Sequence, residues 1–292
     1  MPRRLALLVL PFLAAAAEPA DDLSALGDEF AGSELSPAWK RFDRTHGWPD
    51  KLKAVDVGRS VDGALHLEPY HSAWVRDLVA PFLYKEVTGD FDVRARVRVR
   101  GREGAVPGGT WSLGGLMART PNANRADAWT PHRENWQFLT TGVGHVAGET
   151  MTETKATYNS SSHLKLRPFP SGWVELRLVR VGMSLFALAR PEGGAWRVRD
   201  RFYRMDGGRE TQVGLIAYTT SPDVPRRPED PALFNRERLT DPRVDMLMDV
   251  DWVRFARPRP KAAVDWYGQA SAASPLADPN LPEAELLRAL GD

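Results

Sequence analysis

The chain has 292 residues, of which 42% are apolar and 26% charged, so it can bury a real core and is not a disordered tail. Its 39 lysines and arginines face 38 acids, a formal net charge of +1. That balance speaks against a polyphosphate binder, which carries a clear basic excess. There is no cysteine, which excludes a disulfide framework, a lipoprotein attachment site and a thiolate nucleophile.

The N-terminus reads MPRRLALLVLPFLAAAAEPADD. Arg3 and Arg4 make a positive start, Leu5 to Leu13 a short apolar run, and Ala15-Ala16-Ala17 a small-residue cleavage site. This is the pattern of a secretory signal peptide over 1–17, removed near Ala17; an uncleaved N-terminal anchor is the alternative. The run is short for a membrane span, and no second one follows. The mature protein is therefore expected to be soluble, without a membrane span, and secreted or periplasmic. Residues 18–27 read as a linker.

From there the hydrophobic period is 2. In GDFDVRARVRVRG (89–101), Phe91, Val93, Ala95, Val97 and Val99 alternate with Asp92 and with Arg94, Arg96, Arg98 and Arg100. Such a strand has one dry and one wet face. The arginines therefore need no nucleic acid to explain them; pairing with acids of a neighbouring strand, such as Glu175, is enough. Further strands are predicted at 63–69, 112–120, 135–142, 172–182, 184–191, 195–203, 211–220 and 244–256. Gly182-Met183 forms a hairpin turn between two of them. About twelve short strands with Gly, Pro, Asp and Asn between them predict an all-β fold, a two-sheet antiparallel jelly-roll sandwich. Two segments stand apart: the Pro-rich, charged stretch 221–243, long enough to be a lid or insertion, and the Pro/Ala-rich tail 258–292. The tail has one amphipathic helix candidate near Glu283–Leu290 and reads as a tail or edge cover.

The order DEFAGSELSPAW (28–39), VDGALHLEP (61–69), DVDWVRFARP (249–258) resembles the concanavalin A-like lectin/glucanase superfamily. GDFDVRARVRV followed by GGLMAR is similar to the domain of unknown function 1349 and to the C-terminal sandwich of some β-xylosidases. The resemblance covers residues 28–257 and implies the jelly roll, a carbohydrate ligand and a structural calcium. The calcium ligands it implies are Glu29, the Gly63 carbonyl and Asp251, hard oxygen donors of the kind the ion takes. The alternative is that Glu29 and Asp251 are ordinary surface acids.

No catalytic residue is expected. Laminarinase-type members align two carboxylates on one strand about 5 Å apart, and ENWQFLTTGVG carries no such pair. Glu149, Glu153 and Asp127 lie in segments without strand alternation. No G-x-S-x-G or H-E-x-x-H motif occurs, the six histidines lack metal-ligand spacing, and the glycines of GGTWSLGG precede no Lys-Ser/Thr. Binding has better material. ADAWTPHRENWQF places Trp129 and Trp136 around His132, Glu134 and Asn135, flat aromatic faces for pyranose rings with polar groups for their hydroxyls. TETKATYNSSSH adds Lys155, Tyr158 and Asn159. Trp39, Trp173 and Trp252 sit in strand-like patterns and are expected in the core. The function expected is recognition of a polysaccharide or glycan. The alternatives are a glycoside hydrolase or polysaccharide lyase with unaligned acids, and a structural or adhesion module of the cell envelope.

Overall fold

The structure is a computed structural model that describes residues 23–203, 208–223, 228–260 and 275–291. The segment read as a signal peptide, 1–17, and part of the linker lie outside the described residues.

The chain forms the strands β1 (Lys40–Arg41), β2 (Leu52–Val57), β3 (Leu65–Pro69), β4 (Phe82–Thr88), β5 (Phe91–Arg100), β6 (Ser112–Arg119) and β7 (Trp136–Val143). They are followed by β8 (Thr150–Tyr158), β9 (Ser161–Pro168), β10 (Val174–Val181), β11 (Ser184–Pro191), β12 (Arg197–Tyr203), β13 (Glu210–Tyr218) and β14 (Leu247–Ala256). Three short helices, α1 (Phe42–His46), α2 (Pro231–Arg236) and α3 (Glu283–Ala289), lie outside the sheets. A front sheet runs β1-β4-β13-β6-β7-β8-β9 and a back sheet β12-β11-β10-β5-β14-β3-β2. All their strand pairs are antiparallel. Among the described residues the chain changes sheet between β1 and β2, β3 and β4, β4 and β5, β5 and β6, β9 and β10, β12 and β13, and β13 and β14. These crossings make the all-β jelly-roll sandwich. Among the described residues no helix is long and apolar enough to cross a membrane.

The alternation in β5 does what it predicts. Phe91, Val93, Ala95 and Val97 are fully buried between the sheets, against Leu116, Leu139, Leu176, Leu178, Leu215 and Val250. At the front-sheet centre the strands approach closely. A Cβ on Gly115 or Gly214 would lie 2.3 or 2.0 Å from the carbonyl oxygen of Leu139 or Leu83, so no other residue fits there. The glycines of SLGGL are thus a packing requirement. The β10–β11 turn is at Gly182-Met183 as expected, with Gly182 at φ 62°.

On the back sheet's outer face each strip arginine has a carboxylate, but the partners differ from expectation. Glu175 is taken by Arg190 directly opposite, at 2.8 and 2.9 Å. Arg96 reaches Asp251 and Glu192, while Arg98 and Arg100 share Asp249, also bound by His66. These donors hold the Asp249 carboxyl far below the usual carboxylate range despite its burial.

Two tryptophans expected in the core are not in it. β14 bulges between Val250 and Trp252, and one extra residue flips every later side chain to the other face. Trp252 therefore lies outside, half-buried under Arg254 at 4.2 Å. Trp173, one residue before β10, is half-buried beneath Arg96 and Arg98. Trp39 is core, 4% exposed.

The tail covers the back sheet. Leu286 and Leu290 of its helical segment pack on Val179, Val181, Phe186, Leu188 and Trp196, and the Leu290 carbonyl accepts from Arg177 at 2.7 Å. Leu286 is fully buried. Leu286→Ala should cost about 2–3 kcal/mol, read as a lower urea midpoint; an unchanged midpoint would mean that the tail does not hold the sheet.

Candidate functional site

The front sheet's outer face is covered by the chain's own segments. Tyr84, Met117, Trp136, Phe138, Ile216 and Tyr218 project from it. They are covered by Phe42 of α1, by Trp48 and by Trp74, Val79 and Ala80 of the segment 70–81. Trp74 is fully buried and meets Trp136 edge-on at 5.8 Å, while Trp136 stacks on Phe138 at 5.2 Å. Trp136 thus presents no face to solvent.

Lys155 and Glu153 are also on this face. The segment 152–163, expected to lack strand alternation, is β8 and the start of β9, and places both side chains under the covering segment. Lys155 donates to the Trp74 carbonyl at 2.9 Å and lies 2.8 Å from the Glu153 carboxylate, which also accepts from the Tyr218 hydroxyl. Polar Thr and Lys at alternate positions hid a strand whose two faces are both buried. Tyr158 points the other way, toward the inter-sheet core, and its hydroxyl donates to the Tyr203 carbonyl at 2.6 Å.

Glu134 is a structural anchor. It is 2% exposed and accepts from Arg119 through both oxygens at 2.8 Å, with Asn122 adding a third donor at 3.2 Å. Arg119 also binds Gln212 and lies over the Phe42 ring. Burial would raise the Glu134 carboxyl, yet the Arg119 charge and its bonds hold it below the ordinary range. This bidentate pair ties the 121–135 loop to β6.

At the rim of this covered face is an open pocket of about 610 Å³. It lies where β7 begins, where β8 turns into β9, and where the segment 70–81 meets the 221–243 insertion. Trp129, His132, Asp77, Asn159, Ser160 and Glu229 are among its walls. Of the sequence candidates, therefore, Trp129, His132 and Asn159 reach the pocket, whereas Glu134, Trp136, Lys155 and Tyr158 do not line it. Asn135 braces it from behind, accepting from the Asn159 amide at 2.8 Å. Four non-glycine residues with left-handed backbone line the pocket: Arg76 (φ 54°), His132 (φ 62°), Asn159 (φ 46°) and Ser160 (φ 62°). Such conformations cost free energy and persist where the surroundings fix them, often at ligand sites. Here Asp77 does the fixing: its Oδ1 accepts from the His132 amide at 3.0 Å and from the Ser160 hydroxyl.

The insertion clamps this region. Asn235 of α2, fully buried, accepts from the Val79 amide at 3.0 Å and donates to the Asp77 carbonyl at 2.8 Å. Arg236 donates to the Ala126 carbonyl of the Trp129 loop at 2.9 Å. Asp77, Ser160 and Asn235 were missed in the sequence, because neither periodicity nor motif marks them. The Asn159-Ser160 pair, with φ positive at both residues between strands, does carry the hairpin signal of a two-residue turn.

The implied calcium ligands do not fit an ion as placed. Glu29 is held by Arg254 at 2.7 and 2.9 Å and Asp251 by Arg96 at 2.6 Å, so both carboxylates are already neutralised. Gly63 sits in a turn at φ 63°. Among the described residues no group of three or more His, Asp or Glu could hold a metal.

No protein-family model and no curated protein sequence matches the chain. The fold is shared with a functionally unknown protein of Saccharomyces cerevisiae, at 15% identity and a TM-score of 0.50, over 73% of this chain and 96% of that one. A family 43 glycoside hydrolase protein of Bacillus licheniformis aligns at 12% identity and a TM-score of 0.49, over 79% of this chain but only 39% of the Bacillus chain. A Mycobacterium tuberculosis protein, described as an immunostimulatory antigen and pseudo beta-1,3-glucanase, aligns at 14% identity and a TM-score of 0.47, over 79% and 97%.

Two expectations follow from the buried charges. Glu134→Gln leaves the Arg119 guanidinium buried without its counter-ion, and should destabilise the protein by about 3–5 kcal/mol in urea unfolding. A loss below 1 kcal/mol would show that the pair anchors nothing. Burial lowers His46 and His71 to about 4, with Arg119 and Lys51, respectively, adding to it. Between pH 6.5 and 4 the unfolded chain binds these protons and the folded one does not, so stability is full above 6.5 and falls as pH drops toward 4. Urea midpoints should decline between pH 7 and 5, and the decline should flatten in His46→Gln/His71→Gln; an equal slope in that variant would refute the assignment.

Proposed function

We propose that the protein is an exported carbohydrate-recognising β-sandwich of the concanavalin A-like superfamily, secreted or periplasmic, that binds a glycan in the Trp129 pocket without catalysing its cleavage. The observation that carries this reading is the composition of the pocket. Trp129 supplies a half-buried aromatic ring, and Asp77, His132, Asn159, Ser160 and Glu229 surround it. A pyranose has apolar C–H faces and a polar rim, and an aromatic ring beside several hydrogen-bonding groups meets both. A volume of about 610 Å³ suits one or two sugar units. The branch akin to the sandwich of β-xylosidases, and export by residues 1–17, belong to the same proposal.

Non-catalysis is supported by the fate of the acids on the broad sheet face. Glu153 and Glu134 are sealed by the chain's own residues and engaged with Lys155, Tyr218 and Arg119. The covered face thus leaves the rim pocket as the place for a ligand.

Titration calorimetry of the mature chain against a polysaccharide panel should find a binder. Trp129→Ala should weaken it at least tenfold with the circular dichroism spectrum unchanged, and reducing-sugar assays should detect no turnover. Binding that survives Trp129→Ala would place the ligand elsewhere, and turnover would make the protein an enzyme.

A further inference from the structure

We infer that the pocket takes an uncharged sugar unit and rejects polyanionic glycans, with Asp77 as the acceptor for a ligand hydroxyl; this rests on the pocket being a glycan site. Asp77 is 6% exposed and bonded on most sides. Its Oδ1 holds the His132 amide and the Ser160 hydroxyl, and its backbone carbonyl holds Asn235. Among the described residues its Oδ2 makes no hydrogen bond, yet it is not among the sealed polar atoms of the interior. The residue lines the pocket, so Oδ2 finds its donor there.

A buried carboxylate oxygen left without a donor is costly. Water meets that need in the free protein, and a bound hydroxyl meets it with better fixed geometry. A uronate or sulfate would instead turn its own lone pairs and negative charge toward Oδ2. Among the described lining residues Glu229 adds a second carboxylate, and Arg76 is the one guanidinium. Arg76 is exposed at the rim and makes no ion pair among the described residues, so in water its charge is well screened. The acceptor is also fixed in advance. The bonds to His132, Ser160 and Asn235 hold Asp77 in one orientation, so a ligand hydroxyl need not order it.

The experiment is calorimetry at about 0.15 M salt with neutral β-glucan, xylan and mannan, with polygalacturonate and alginate, and with chitosan, on wild type and Asp77→Asn. The asparagine keeps an acceptor for His132 and Ser160 while presenting an amide to the pocket. At least one neutral glycan should bind, the polyuronates should give no signal, and Asp77→Asn should weaken neutral binding at least tenfold. Should that variant melt early, Glu229→Gln at its exposed position keeps the test open. It should raise polyuronate affinity relative to neutral-glycan affinity measured on the same variant, and an unchanged ratio would overturn the inference. Tighter binding of a polyuronate than of every neutral glycan, or full neutral affinity in Asp77→Asn, would overturn the inference while leaving a glycan site standing. Tighter binding of chitosan would overturn the hydroxyl as donor. If no glycan binds at all, the site reading fails and the inference falls with it.

Discussion

An apolar sheet face cannot be left in water, and in this protein that constraint shapes everything around the site. Trp136, Phe138, Tyr218, Met117 and Tyr84 stand on the outer side of the front sheet, and burying side chains of this size contributes roughly 2–3 kcal/mol each. The chain meets the need with its own segments. Trp74 lies against Trp136, Phe42 closes the far side, and the main chain at Trp74 accepts from Lys155. The face that would be broadest for a ligand becomes a second core. The open concavity is displaced to the rim, where the covering segment, the β8–β9 turn and the insertion meet.

The same covering explains the charged residues beneath it. A lysine and two glutamates in a dry layer would be prohibitive alone. Each has an opposite charge and further polar partners: Glu134 with Arg119 and Asn122, Glu153 with Lys155 and Tyr218. The back sheet solves a milder version of the problem in the open. Its arginines lie across Trp173, Trp196 and Trp252 while their heads meet Asp92, Asp249, Asp251, Glu175 and Glu192. Most of these exposed pairs contribute little singly. Asp249 is the exception, fully buried and shared by His66, Arg98 and Arg100.

Most of the fold was legible, because a half-buried strand writes its pattern in alternate residues. β5 could be read from that alternation, while β10, β11 and β13, buried along most of both faces, are rich in apolar residues. β8 could not: both its faces are covered, so threonines and charged residues occupy places that a pattern search assigns to loops. The site was legible only at Trp129, His132 and Asn159. Trp136 and Glu134, four and two residues after His132 in the same motif, look equally suited to a sugar. Their burial depends on Trp74 and Arg119, which lie 62 and 15 residues earlier in the chain.

By itself, then, the sequence determined the two-sheet sandwich, the dry and wet sides of its strands, the hairpin at Gly182-Met183 and a helix at the tail. These follow from local period and turn chemistry, which act between near neighbours. Only the tertiary structure decided which aromatic rings meet solvent, which acids are sealed, and where a concavity remains. A bulge at Asp251 put Trp252 outside, and the segment 70–81 put Trp136 inside. Asp77 became the centre of the pocket because three distant segments, around His132, Ser160 and Asn235, converge on it. Such choices depend on what packs against a face, and that is fixed by contacts between residues far apart in the chain.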